Sequence, residues 1–231
     1  MVQVNNTPIV LRVKFFKKGS LQYISHLDLV RTMMKIIVRA DLPLWYTEGF
    51  NPKPKLTFAA PLSTGTESEC EFMDIRLTEK MDTDEALRRL NRNMTDNMQA
   101  TEAYYPDNKF TSLAYLSYDV RIHTEGDAAE LCERCKKTLS GEDITVVKKT
   151  KSGMADVNIK PLIKSFEVYT EGGDIALSLI LSADPSAFLN PELVIRALRE
   201  RCGILSSGNL ISEYYTIIRK EAFFADMTVF R

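Results

Sequence analysis

Apolar and polar residues alternate along the chain in two successive blocks of short strands and helices. Period-2 alternation predicts strands, and apolar residues at 3.6-residue spacing predict amphipathic helices. The first block reads β-α-β-β-β-α-β and ends at residue 107. Its predicted strands are 9–16, 42–46, 55–60, 72–77 and 99–105, and its helices begin at the caps Ser25 and Asp82 or Thr83.

A second block of the same kind begins at residue 115. Its predicted strands are 118–123, 144–148, 156–163, 166–169, 175–181 and 213–219, with helices at 127–139 and 192–202. The two blocks predict an α+β protein made of two tandem ferredoxin-like sandwiches, each an antiparallel sheet with two helices on one face. We expect an N-terminal domain over 1–107 and a C-terminal domain over 115–231.

The first helix has a clear start signal and two distinct faces. Ser25 is a good N-cap, and Asp28 lies three residues later, where it can complete a capping box. The apolar face is predicted to hold Leu27, Val30, Met33, Met34 and Ile37. Arg31, Lys35 and Arg39 recur every four residues, so we expect them to form a basic face that is solvated or meets an anion.

A short proline-rich segment follows the predicted strand that contains the only tryptophan, Trp45. Because proline cannot donate to a ladder, residues 51–54 are expected to form a loop or an edge. The prolines hold Lys53 and Lys55 on a stiffened backbone, which lowers the entropy lost on binding. The alternative is a rigid connection that carries two solvated lysines.

The composition is that of an ordinary globular protein, and its charge is uneven along the chain. Residues 1–60 hold nine Lys and Arg against three Asp and Glu, a local +6, within a net charge of −1. No apolar run is long enough to span a bilayer, and Met1 to Val10 lacks the plan of a secretory signal. We therefore expect a cytoplasmic protein without a membrane association, whose four cysteines are reduced.

The sequence predicts no metal and no cofactor. Cys132 and Cys135 form a C-x2-C pair without a second pair, whereas a structural zinc site needs four ligands. Glu67, Glu69 and Glu71 alternate on one strand and its approach, which favours a solvated face or pairing with Arg31 and Lys35 over a cation site. No phosphate-binding glycine loop or dinucleotide fingerprint is present.

The stretch from Tyr23 to Glu71 resembles a known family, the radical SAM-linked proteins of domain of unknown function 2344. The resemblance rests on Ser-His-Leu-Asp followed by Arg, then Gly-Phe-Asn-Pro, then Pro-Leu, Gly and Glu-Ser. In this chain these are Ser25 to Asp28, Arg31, Gly49 to Pro52, Pro61 and Leu62, Gly65, and Glu67 and Ser68. Lys53 departs from the family pattern, which more often has His there.

The resemblance implies a partner and leaves the reaction open. Members are encoded beside, or fused to, a radical SAM protein, so the resemblance implies such a protein as the partner. Because this chain lacks the Cys-x3-Cys-x2-Cys cluster motif, any radical chemistry is expected in the partner chain.

The first functional hypothesis is a non-catalytic accessory or substrate-binding module that presents RNA to the radical SAM protein. Lysines and arginines would contact phosphates, and Phe50 and Trp45 would stack on bases. The predicted binding residues are Ser25, His26, Asp28, Arg31, Lys35, Gly49, Phe50, Asn51, Pro52, Lys53, Lys55 and Glu67. We expect the helix start at His26 and the loop at Asn51 to meet in one accessible pocket.

Two alternatives stay open. The tandem fold with a histidine near the first helix resembles the Cas6-type CRISPR endoribonucleases, which implies a metal-independent RNA-processing enzyme with His26 as general base. Against it, the segment 204–209 has only Gly208 where that group has a glycine-rich loop. The other alternative is a purely structural subunit, in which the stretch from Tyr23 to Glu71 stabilises its own fold and His26 fixes the helix to the following loop.

Overall fold

The computed structural model describes residues 7–150 and 153–231. The α+β class is confirmed, because the described residues form α-helices together with antiparallel strand ladders. The expectation about a leader at Met1 to Val10 falls largely outside the described ranges. The chain divides into two compact units, one ending at Phe110 and also containing Arg231, the other spanning 111–230.

The first unit is a small antiparallel sheet with two helices. Its strand order is β4-β1-β3, with β2 pairing with β3. Leu11, Val13 and Phe15 of β1 are fully buried in the same apolar cluster as residues of both helices. The elements in chain order are β1 (Ile9–Lys17), α1 (His26–Arg39), β2 (Leu56–Phe58), β3 (Thr66–Leu77), α2 (Thr83–Asn91) and β4 (Met98–Tyr104).

Helix α1 begins where the sequence predicts, but its buried face is rotated by part of a turn. Ser25 is the N-cap, and the buried residues include Leu29 and Ile36, whereas Leu27 is largely exposed. Met33 and Ile37 belong to both the predicted and the observed apolar face. Consecutive helical residues are about 100° apart around the helix axis, so two faces shifted by part of a turn overlap.

Two predictions for the first unit are wrong. Residues 42–46 form only isolated bridges, Leu44 with Leu77 and Tyr46 with Pro54, because Pro43 cannot donate to a ladder. The strand predicted at 72–77 begins earlier than expected, since β3 starts at Thr66.

Arg12 holds the end of the first unit in place. Its guanidinium forms two bonds with Asp74, of 2.8 and 3.0 Å, and donates to Asn108 Oδ1 at 2.7 Å. The same group lies 4.3 Å from the centroid of the Phe110 ring. These contacts tie 108–110 to β1, which explains why the unit runs past the predicted boundary at residue 107.

The second unit has four antiparallel strands in the order β10-β5-β9-β8 and a separate hairpin, β6-β7. The turn between β8 and β9 contains Gly172 and Gly173, both at positive φ. The elements in chain order are β5 (Tyr115–His123), α3 (Ala128–Ser140), β6 (Thr145–Thr150), β7 (Gly153–Asn158), β8 (Ile163–Glu171), β9 (Asp174–Ser182), α4 (Pro191–Cys202) and β10 (Tyr214–Phe223).

All four cysteines are free and buried, at most 3 % exposed. In the described ranges no three His, Cys, Asp or Glu side chains are grouped so that they could hold a metal ion. None of the helices in those ranges is both long and apolar enough to cross a membrane.

Candidate functional sites in the first unit

The start of α1 is organised by Ser25 and Asp28. The Ser25 hydroxyl accepts the Asp28 N–H at 3.1 Å and donates to Asp28 Oδ2 at 2.8 Å, so the carboxylate pairs with the cap hydroxyl. Arg31 donates to the other carboxylate oxygen at 3.1 Å. The bonds from Ser25 and then Arg31 lower the pKa of Asp28. Part of the positive charge of Arg31 is therefore already balanced within the helix.

His26 lies at this helix start with its ring against Phe58, the last residue of β2. The ring centroids are 5.4 Å apart and the rings are nearly perpendicular, at 82°. An edge-to-face contact of this kind is typical of aromatic packing. The His26 side chain is nevertheless exposed, so its ring joins the helix to β2 and remains open to solvent.

Buried polar groups support the helix start from β1 and β3. The Lys17 ammonium is 2 % exposed and donates to the carbonyls of Leu21 at 3.0 Å and Thr66 at 3.3 Å. Glu67 accepts the Gly19 N–H at 2.8 Å. Glu67 is half-buried, and it anchors the turn before α1.

Two charged residues of this region, Lys17 and Glu71, are almost fully buried, whereas the sequence favours a solvated or paired position for Glu71 and gives no sign of the burial of Lys17. Glu71 is the cross-strand partner of Phe15 on the buried side of the sheet. Lys17 is followed by Lys18 and Gly19, a pattern typical of a solvated turn, so no local signal marks its burial.

The loop of residues 46–55, named the Phe50 loop, carries the other predicted binding residues. The Thr47 N–H donates to the Lys53 carbonyl at 2.9 Å, and the Lys53 N–H returns a bond to Thr47 Oγ1 at 3.1 Å. Gly49 has a φ of 122°, which only glycine adopts without strain. The exposed predicted residues of the loop are Gly49, Phe50, Asn51, Pro52, Lys53 and Lys55.

The expected shared pocket of His26 and Asn51 stays a prediction, and the two regions reach β2 from different ends. His26 contacts Phe58, where β2 ends, whereas Lys55 precedes the first residue of β2 and its carbonyl accepts the Arg76 N–H at 3.2 Å. The predicted binding residues thus belong to two segments, the start of α1 and the Phe50 loop, and Lys35 is exposed on α1.

In the second unit, His123 is an exposed histidine with partners from two other strands. It is the last residue of β5, and its Nδ1 lies 2.7 Å from Asp174 Oδ1. Its ring stacks on Tyr214 with centroids 5.1 Å apart. The partners come from different strands, so sequence spacing could not reveal this exposed group.

Residues 10–191 match the family model DUF2344, described as an uncharacterized protein conserved in bacteria. No curated protein matches the chain. The chain is similar, at 12% identity and a TM-score of 0.49, to a chain in the crystal structure of a Cbf5-Nop10-Gar1 complex, covering 92% of this chain and 48% of that one. It is also similar, at 7% identity and a TM-score of 0.26, to an unknown protein from Galdieria sulphuraria, covering 92% and 99%.

Proposed function

Because the chain belongs to DUF2344, a family of uncharacterized proteins conserved in bacteria, we propose that it is a non-catalytic module that binds RNA for a radical SAM protein. The radical SAM partner follows from the family resemblance of the motifs between Tyr23 and Glu71. The RNA surface is the Phe50 loop. The observation that carries this assignment is a fully exposed phenylalanine followed by two exposed lysines on a loop closed by its own hydrogen bonds.

The chemistry of the Phe50 loop suits a single strand of nucleic acid. An aromatic ring can stack on any base and contributes about 1–3 kcal/mol per base. Lys53 and Lys55 are exposed, so their ammonium groups are open to phosphates. Tyr46, at 45 % exposure, provides a second aromatic surface at the base of the loop.

Closure of the loop before binding supports this role. The Thr47–Lys53 bonds and the two prolines restrict the backbone, so Phe50 and the lysines lose less entropy when they bind. The helix start has the opposite character, because Ser25, Asp28 and Glu67 are satisfied by bonds within the unit. In this proposal the start of α1 stabilises the fold, and the Phe50 loop binds the RNA.

We also infer that each unit is a ferredoxin-like sandwich, with the domains meeting between residues 107 and 115. Support comes from the strand orders β4-β1-β3-β2 and β10-β5-β9-β8, in which the first and third strands of each unit are central. If the β6-β7 hairpin is set aside, each unit reads β-α-β-β-α-β, the order of that fold.

The test is the binding of a fluorescently labelled single-stranded RNA to the full chain, followed by anisotropy from about 50 to about 300 mM salt. We expect affinity to fall as salt rises. The double variant Lys53→Ala/Lys55→Ala should bind about tenfold more weakly near 100 mM salt, with a salt slope smaller by about 1.4, since each phosphate contact to a single strand contributes about 0.7.

Lys137→Ala is the matched control, because Lys137 is an exposed lysine on α3 of the second unit. This variant should bind like the unchanged protein. Affinity that does not change with salt, or an equal loss in both lysine variants, would exclude the Phe50 loop as the electrostatic surface.

A further inference from the structure

A second loop, residues 204–213 of the second unit, presents aliphatic side chains to solvent. Leu210 is 83 % exposed and its neighbour Ile211 is 88 % exposed. Adjacent exposed aliphatic residues are unfavourable in water unless another surface covers them. We name this segment the Ile211 loop.

A buried carboxylate fixes the Ile211 loop at its base. Glu213 is 3 % exposed and accepts four hydrogen bonds: from Ser207 N and Oγ, both at 2.5 Å, from Thr124 Oγ1 at 2.6 Å and from Glu125 N at 3.2 Å. The Ser207 hydroxyl, and then that of Thr124, lower the pKa of Glu213 to about 2. The carboxylate is therefore ionised and fully engaged at neutral pH.

Asn209 holds the tip of the loop. Its side-chain oxygen accepts the Ile211 N–H at 3.1 Å, and its carbonyl accepts the N–H groups of Ser212 at 3.2 Å and Glu213 at 2.8 Å. Together with the Glu213 bonds, these contacts fix the loop backbone in advance. The display of Leu210 and Ile211 is thus a property of a rigid loop.

An apolar pocket of about 210 Å³ adjoins the exposed pair. Burial and the bond that its hydroxyl donates to Glu192 at 2.6 Å raise the pKa of Tyr215 to about 12, so this wall of the pocket stays neutral. The main lining side chains are Leu205, Leu210, Tyr214, Tyr215 and Arg199. A single apolar side chain from another molecule fits a space of this size.

The exposed charge at the pocket is the Arg199 guanidinium. Glu213, the other charged residue that lines the pocket, is buried, and its carboxylate keeps its negative charge while it accepts bonds from neutral donors. Elsewhere on α4, the positive charges of Arg196 and Arg201 are matched by the negative charges of Glu192 and Glu200. Arg199 is therefore the exposed group at the pocket that complements a carboxylate of a partner.

We infer that the Ile211 loop is a docking site for an acidic amphipathic segment of a partner protein. An apolar side chain of that segment would occupy the pocket against Leu205 and Tyr214, while a carboxylate would pair with Arg199. The inference rests on the proposed function for the existence of a protein partner, and it assigns the surface that meets the partner. The surface shares no residue with the Phe50 loop.

The test uses a defined probe, a labelled amphipathic peptide of leucine and glutamate about 15 residues long, which forms about four helical turns. We expect it to bind the full chain. Ile211→Asp should weaken binding at least tenfold by placing a charge on the apolar surface, and Arg199→Ala should weaken it severalfold. A peptide with lysine in place of glutamate should bind at least tenfold more weakly than the acidic one.

Met154→Asp is the matched control, because Met154 is 67 % exposed on β7 and lies outside the loop. It should bind the acidic peptide like the unchanged protein. Equal binding of both peptides, or no effect of Ile211→Asp, would overturn the inference. Light scattering that detects a dimer lost in Ile211→Asp would assign the surface to a second copy, and RNA binding lost in that variant would assign it to nucleic acid.

Phe50→Ala separates this inference from the proposed function. It should weaken RNA binding and leave peptide binding unchanged. If the protein binds the peptide but does not bind RNA, the proposed RNA-binding role is contradicted and the docking inference is retained.

Discussion

The Phe50 loop and the Ile211 loop both expose apolar side chains, yet they are held in different ways. Prolines and a pair of bonds between Thr47 and Lys53 close the first. A buried, ionised carboxylate that accepts four bonds closes the second. Stiffening by proline does not depend on pH, whereas stiffening by Glu213 does.

The surroundings of the two loops differ as well. Two exposed lysines follow the aromatic residue of the first loop. The aliphatic pair of the second loop lies beside a small apolar pocket with one exposed arginine. If only the exposed apolar area were considered, both loops would be interpreted in the same way. The neighbouring side chains favour a nucleic-acid strand as the ligand of the Phe50 loop and a protein segment as the ligand of the Ile211 loop.

The largest expected effect is loss of stability at the Ile211 loop. Glu213→Gln replaces an anionic acceptor with an amide that cannot accept all four bonds, which should cost about 2 kcal/mol in the free energy of unfolding. Urea denaturation near neutral pH measures it. Glu142→Gln, at an exposed carboxylate of the same unit, should change little.

The same carboxylate makes an acid-sensitive contribution. Its folded pKa of about 2 lies below the ordinary 4.5, so the stabilisation is complete above 4.5 and is lost as pH falls from 4.5 toward 2. Over that interval the unchanged protein should lose more stability than Glu213→Gln does. If the free energies of unfolding of the two proteins fell equally with pH, Glu213 would not be the group that fixes the loop.

The next effect tests what Phe50 contacts. If it stacks on bases, Phe50→Leu should weaken RNA binding about fivefold, nearly as much as Phe50→Ala, and Phe50→Trp should preserve it. Tyr169→Ala, at an exposed aromatic residue of β8, is the control. Full RNA affinity in Phe50→Leu would mean that the position needs apolar volume only, which would remove the contrast with the Ile211 loop.

A smaller effect is expected at the helix start. Ser25→Ala removes the cap of α1 and should cost about 1 kcal/mol of stability, with RNA affinity unchanged at a temperature where the variant is folded. Thr64→Ala, at an exposed neighbouring position, is the stability control. Weakened RNA binding in folded Ser25→Ala would return the helix start to the binding surface.

The smallest effect is expected for His26→Ala. Its ring contacts Phe58 and is otherwise exposed, so RNA affinity should stay within about twofold, since a stacked aromatic would contribute more. Incubation with RNA in EDTA should give no cleavage by either protein. Cleavage by the unchanged protein that is lost in His26→Ala would make it the metal-independent nuclease of the alternative hypothesis.

Local chemistry was sufficient to predict much of the fold. Ser25 and Asp82 each cap a helix as expected, because a cap depends on residues within one turn. The helices expected at 127–139 and 192–202 are likewise present as α3 and α4. Only the segment with Pro43 lost its predicted strand, since a residue without an N–H interrupts the ladder.

The candidate sites were less predictable, because they depend on contacts between distant residues. Nothing in the local sequence indicates that His26 packs against Phe58, the last residue of β2. Burial of Lys17 and Glu213 depends on partners that neighbouring residues do not reveal. Leu210 and Ile211 read as ordinary apolar residues, and only the folded loop shows them facing solvent.

Burial of every native thiol has a practical consequence. Alkylating reagents need an accessible thiolate, so Cys70, Cys132, Cys135 and Cys202 should react slowly in the folded chain. A cysteine introduced at position 50 or 211 would be the fast-reacting one. A dye or spin label could then be attached at either loop without removing any natural cysteine.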